Sequence, residues 1–225
     1  MPTILISGAN RGIGLELARQ FSHDGWTVIG TAREPTAATE LPALPTTRVL
    51  PLEATSAASI DALVATLAGE PIDVLIASAG IAINLGARPV EVTREDFLKL
   101  QETNTYAPFA LAAALKPNLL AGERKIATAM SSLMSSIGAN DWGTQYTYRA
   151  SKTALNALWR ALAQEWKPEG ITCTLLRPGM VATQMTDFKG IPVEVSVAGM
   201  KKVIEMLKPS DAGRIIGYDG TDVPW

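Results

Sequence analysis

The segment Tyr146-Thr147-Tyr148-Arg149-Ala150-Ser151-Lys152 sets a phenol and an ammonium four residues apart. It opens a helical pattern running from Tyr148 to about Lys167, stopped by Pro168 and Gly170. Pro cannot continue a helix, and Gly tolerates the left-handed cap. Residues four apart share a helix face, so Tyr148 and Lys152 are expected to point the same way. A cation beside a phenol favours phenolate and would lower a pKa that is ordinarily ~10. Such a tyrosine can donate or accept a proton near neutral pH. Tyr146 has Ala150 at the same spacing and gains no such partner. Standing alone, the pair also describes a surface tyrosine beside a solvated lysine, so its meaning rests on the rest of the chain.

A second chemical signature lies near the N-terminus. The apolar run Thr3–Ser7 reads as a buried strand and leads into Gly8-Ala9-Asn10-Arg11-Gly12-Ile13-Gly14, then an amphipathic helix to about His23. Glycines at a strand-to-helix turn permit tight geometry, and free N–H groups at the helix start favour a pyrophosphate. Gly25 ends that helix, and Trp26–Thr31 is the next strand. A dinucleotide fold often places a carboxylate after this strand, against the ribose 2′-hydroxyl. Here Gly30-Thr31-Ala32-Arg33 carries none before Arg33, and Arg11 sits in the glycine loop. Two guanidiniums suit a 2′-phosphate, which points to NADP(H) over NAD(H).

The remaining elements alternate. Glu34–Pro45 reads as a loop or short helix and Arg48–Leu52 as a strand, after which Ser56 caps a helix to about Leu67. Ile72–Ala77 is a strand followed by Ser78-Ala79-Gly80, small residues that would let a flat ring lie on backbone or simply make a tight turn. Thr93 caps one helix from Arg94 through Asn104 to Leu115. Asn104 is polar within its apolar half and needs a hydrogen-bonding reason, structural or functional. Lys125–Met130 is a strand with Ser131, Ser132, Ser135 and Ser136 at and past its end. Ile171–Leu176 is a strand leading into Arg177-Pro178-Gly179-Met180-Val181-Ala182-Thr183. Gln184–Val197 reads as irregular, Ala198–Leu207 as helix and Arg214–Tyr218 as a last strand. Short strands apolar on both faces, alternating with helices, imply an α/β fold. Its expected form is a single-domain, Rossmann-like, doubly wound parallel sheet over residues 1–225, with helices on both faces.

Composition excludes several classes. The chain has 225 residues, is 47% hydrophobic and carries a net charge of −2. No basic stripe suggests nucleic acid or an anionic membrane. One cysteine, Cys173, and one histidine, His23, leave little for a soft-ligand metal site, and no metal is expected. Cys173 lies in an apolar run and is expected to pack as a small hydrophobe. The absence of a signal-like leader and of a membrane-length apolar run points to a cytoplasmic protein.

Taken in order, Ser7–Gly14, Ala77-Ser78-Ala79-Gly80, Asn104, Ser131-Ser132, Tyr148-x-x-x-Lys152 and Pro178-Gly179-x-x-x-Thr183 resemble the short-chain dehydrogenase/reductase family. The Met130–Ile137 serines and the Tyr218-Asp219-Gly220 ending resemble its carbonyl-reductase-like branch, of the sniffer and C-factor type. The resemblance implies reduction of an aldehyde or ketone by hydride transfer, with Tyr148 protonating the carbonyl oxygen. It implies that Lys152 holds the nicotinamide ribose and lowers the phenol pKa, that a serine binds the substrate oxygen, and that Asn104 anchors a proton-supplying water. It implies that Gly8, Asn10, Arg11, Gly12, Ile13 and Gly14 take the pyrophosphate side. Glu53, Ala54, Ala79 and Gly80 fall toward the adenosine, and Pro178, Gly179, Val181 and Thr183 toward the nicotinamide. The family's interval from the tyrosine lands on Ser135, whereas the strand end is Ser132, which is preferred because the serine must sit where the sheet ends at the crevice. The family's usual Asn-Asn-Ala-Gly is absent, which should loosen contacts between strands. Met185, Phe188, Ile191 and Trp142 suggest walls of an apolar substrate pocket or ordinary packing. A homodimer through the helices carrying Asn104 and Tyr148 also follows from the resemblance. A nucleotide-binding signalling protein with little turnover is the alternative.

Overall fold

The apolar runs form seven short strands in the computed structural model, which describes residues 1–225: β1 Thr3–Ser7, β2 Thr27–Ala32, β3 Thr47–Pro51, β4 Val74–Ala77, β5 Ile126–Met130, β6 Thr172–Arg177 and β7 Ile215–Gly217. They make one sheet in the order β3-β2-β1-β4-β5-β6-β7, with every neighbouring pair parallel. The chain runs outward from β1 through β2 to β3, then returns to place β4 on the other side of β1. That reversal opens a crevice beyond the carboxyl ends of β1 and β4, where Ser7 stands beside Ala77.

Side-chain alternation along the strands builds two cores. Leu5, Leu75, Ala127 and Leu175 face helices α2 (Ala57–Thr66), α4 (Ala107–Ala114), α5 (Lys116–Ala121) and α6 (Tyr146–Trp166). Ile4, Ile6, Val28, Ile76 and Leu176 face α1 (Gly12–His23) and α7 (Val193–Met206). Trp159 of α6 is fully buried, and its indole Nε1 donates to the Ala127 carbonyl at 3.2 Å. A buried Trp is worth roughly 3–5 kcal/mol against Ala, so this join fixes α6 on β5 firmly. Cys173 is fully buried, and burial pushes its thiol up to about 12. His23 is exposed at the end of α1. No helix is long and apolar enough to cross a membrane.

Two sequence expectations are corrected, and one further helix appears. The helix expected from Arg94 to Leu115 is α3 (Arg94–Gln101), a π-helical turn over Glu102–Tyr106, and α4. The π turn admits the extra residue that carries Asn104 inward, a frequent arrangement at functional sites. Lys116–Ala121 is a helix with Pro117 in its first turn, where a missing N–H costs nothing. The segment 193–197, expected to be irregular, is the first turn of α7, with Pro192 at its cap. The alternation of Val193, Val195 and Val197 with Glu194 and Ser196 has a period of two, which hid the helical start.

Candidate active site

The crevice is bounded first by the β1–α1 turn. Gly8 and Gly12 adopt positive φ (67° and 55°), a conformation only Gly takes at little cost. A Cβ on Gly14 would lie 2.3 Å from the Gly8 carbonyl oxygen, so the turn closes only on glycine. Arg11 caps α1 in an extended conformation without a side-chain cap bond, and its guanidinium donates to Gln184 Oε1 at 2.5 Å. Asn10 is exposed and Ile13 is half-buried against the α1 core. Ser7 Oγ accepts from the N–H groups of both Ser78 and Ala79, at 3.1 and 3.2 Å. Ser7 thus ties the end of β1 to the turn after β4, where the family's usual amides are missing.

Two guanidiniums near the end of β2 and in the glycine turn lack carboxylate partners. Arg33 is exposed and forms no ion pair, and Arg11 likewise meets an amide rather than a carboxylate. Thr31 Oγ1 is buried with no hydrogen-bond partner, an orphan polar group that sequence reading missed. Its only sequence signal was a threonine where the strand end often carries an acid. Glu53 Oε1 accepts from the N–H and hydroxyl of Thr55. Ala54 packs against the core and, with Ser7, Ala79 and Ala107, lines a narrow gap above the sheet.

Tyr148, Lys152 and Ser132 meet at the carboxyl ends of β4 and β5. Lys152 is buried, and its Nζ donates to the Met130 carbonyl at 2.9 Å and lies 5.9 Å from the Tyr148 ring centroid. A Cβ on Gly80 would stand 3.5 Å from that Nζ and 3.2 Å from Asn104 Oδ1. Asn104 is fully buried; its amide accepts from Ile81 N–H at 2.8 Å and donates to the Ile81 carbonyl and to Ser151 Oγ. Asn104 thus ties the turn after β4 to α6 beside Lys152, which supplies its hydrogen-bonding reason. The Ser132 hydroxyl is within hydrogen-bonding reach of the Tyr148 phenol and accepts from Met134 N–H. Ser135 is turned elsewhere: its Oγ donates to the Ser132 carbonyl at 2.6 Å, and it is buried.

The electrostatics correct one expectation. Burial pushes the Tyr148 phenol above its ordinary value, with the Ser132 hydrogen bond opposing that effect in part. Burial lowers Lys152 to about 8. The cation does not acidify the phenol overall, because desolvation dominates. The consequence suits an acid: the phenol holds its proton at neutral pH.

The β6 exit loop closes the other side. Gly179 has φ 85° and packs under the Tyr218 ring, and Ser196 Oγ of α7 donates to the Pro178 carbonyl at 2.6 Å. Val181 bridges to Ile191, pinching off the excursion between them. Thr183 Cγ2 comes within 3.6 Å of where a Gly12 Cβ would be, so the two loops face one another across the crevice. Met185 and Phe188 of that excursion are exposed, at 48% and 73%, and Trp142 is also exposed. Ile191 is partly buried. No set of His, Cys, Asp or Glu side chains is gathered as a metal site.

Comparison with known proteins agrees with this geometry. A family model described as enoyl-(acyl carrier protein) reductase matches residues 8–217. C-signal of Myxococcus xanthus is 37% identical over 156 residues, 69% of this chain and 93% of that protein. The structure of carbonyl reductase Sniffer of D. melanogaster superposes with a TM-score of 0.93 at 31% identity, covering all of both chains. An NADPH-bound carbonyl reductase from chicken fatty liver gives a TM-score of 0.90 at 31% identity over 100% of this chain and 99% of that one. With a glycine-rich β1–α1 turn, a Tyr-x-x-x-Lys helix and a parallel sheet shared across the full length, the chain belongs to the short-chain dehydrogenase/reductase family of oxidoreductases.

Proposed function

We propose that the protein is an NADP(H)-dependent oxidoreductase that reduces an aldehyde or ketone carbonyl to an alcohol. The observation that carries this reading is the convergence of Tyr148, Ser132 and Lys152 at the sheet edge beside a glycine turn. When bound, the dihydronicotinamide supplies the hydride. Tyr148 gives its proton to the carbonyl oxygen, and Ser132 donates a second hydrogen bond to that oxygen. Two aimed donors stabilise the charge that develops there. Lys152 holds a ribose and adds positive field, and Asn104 orders the turn through which a water resupplies protons. Gly8, Asn10, Arg11, Gly12, Ile13 and Gly14 cradle the pyrophosphate, and Pro178, Gly179, Val181 and Thr183 take the nicotinamide. Ala79 and Gly80 leave backbone free for the ribose, with Glu53 and Ala54 toward the adenine. Arg11 and Arg33 form the 2′-phosphate end, and the NADP named in several similar structures supports this choice. Exposed Leu98 of α3 and Tyr106 of the π turn lie beside Leu158 of α6, which supports pairing of two copies there.

The similarity to C-signal favours a second reading, a nucleotide-binding signalling protein with little turnover. Retention of Ser132, Tyr148, Lys152 and Asn104 together argues against it. Oxidation of NADPH with a panel of aldehydes and diketones separates the two. Turnover that depends on the carbonyl and prefers NADPH over NADH supports the reductase; tight NADPH binding with no turnover across the panel supports the second reading.

A further inference from the structure

Helix α6 carries two neighbouring stripes. One is Tyr148 and Lys152. The other, offset by one residue, is Arg149, Thr153 and Asn156, at the spacing of one helix face. All three of the second stripe reach the segment around Ser132. Thr153 Oγ1 donates to the Ser135 carbonyl at 2.9 Å. Asn156, buried, accepts from Ser131 Oγ at 2.6 Å, and Ser131 Oγ lies 3.0 Å from Ser135 Oγ. Ser135 Oγ in turn donates to the carbonyl of Ser132 itself. Arg149 Nε donates to the carbonyls of Gly143 and Thr144, and its guanidinium reaches the Met134 carbonyl and stacks on Trp142 at 4.7 Å. Those carbonyls belong to a left-handed run, Gly143, Thr144 and Gln145 (φ 69°, 62° and 55°), that delivers the chain into α6. Two of these residues are not glycine, so the run needs outside support.

The phenol sits on α6 and its serine partner just past the end of β5, and a loop with little regular structure joins them. A loop alone would let Ser132 drift relative to Tyr148. We propose that Arg149, Thr153 and Asn156 are positioning residues that bind the Ser132–Ser136 turn to α6, so that one rigid helix sets both the acid and its serine. This rests on the reductase reading for its effect on rate, but not for its effect on the turn. Ser135, which the family's interval would make the serine of the reaction, becomes the middle of the clamp.

The test compares wild type with Thr153→Val, which keeps shape and removes the donor, Thr153→Ser, which keeps the donor, and Asn156→Ala. Hydrogen exchange at the amides of Met134, Ser135 and Ser136, each bonded within the turn, reads the clamp directly. Exchange should quicken in Thr153→Val and Asn156→Ala and return toward wild type in Thr153→Ser. Unchanged exchange overturns the proposal whatever the rates. With NADPH and an active carbonyl, kcat in Thr153→Val should fall about 10- to 100-fold, the scale of an ångström-sized misplacement, with NADPH affinity kept. In a Ser132→Ala background the same change should add less than about twofold, because its effect runs through Ser132. A loss that multiplies with Ser132→Ala, or wild-type kcat in Thr153→Val while Ser132→Ala is impaired, overturns it. Failure of the wild type to turn over any carbonyl sinks only the reductase reading, since exchange still decides the clamp.

Discussion

Replacing Lys152 by Met should change how the cofactor-free protein's stability depends on pH. The ammonium is buried and donates to the Met130 carbonyl without a carboxylate to pair it. Burial takes it from 10.5 to about 8, a differential of roughly 3 kcal/mol between its two protonation states. The sign follows from proton counts. Between about 8 and 10.5 the unfolded lysine is protonated and the folded one is not, so the unfolded state binds more protons and stability rises with pH. Below that window the folded state carries the full cost of a buried charge. Tyr148 and Cys173, both raised, act the other way: above their ordinary values of 10.0 and 9.0 only the unfolded state loses these protons. They do so equally in both proteins, so the readable quantity is the difference. Urea unfolding of wild type and Lys152→Met across this range should show the variant more stable by roughly 3 kcal/mol at neutral pH, the excess vanishing toward 10.5. A difference that stays constant over the range would refute the argument that desolvation dominates at this lysine.

Two further outcomes follow from the crevice. Arg33→Ala should weaken NADPH by about 10- to 100-fold, the loss of one charge-assisted contact, and leave NADH nearly unchanged; equal losses by titration would contradict a 2′-phosphate end. Gly14→Ala places a methyl 2.3 Å from the Gly8 carbonyl oxygen, so it should cost about 1–3 kcal/mol of stability and weaken either dinucleotide; a melting temperature and affinity at wild-type level would contradict the close turn.

Much of the fold was legible because its signals are local. Short runs apolar on both faces can only be strands covered twice, and glycines at a strand-to-helix turn mark the phosphate loop. The π turn at Asn104 was not legible, since Glu102–Tyr106 reads as ordinary helix and only the packing of Asn104 against Ile81 and Ser151 requires the extra residue. Nor was the state of the phenol: spacing placed Lys152 beside Tyr148, but desolvation depends on what the whole chain stacks around them. The orphan hydroxyl of Thr31 and the second α6 stripe were hidden for the same reason. Each acquires meaning from partners far away in sequence.

The most direct measurement is Tyr148→Phe in an NADPH oxidation assay with a carbonyl that the wild type reduces, alongside NADPH titration. Turnover should fall by at least about 100-fold, the contribution of a positioned proton donor, while NADPH affinity stays near wild type. A variant that reduced the carbonyl at the wild-type rate would contradict the assignment of the proton to residue 148.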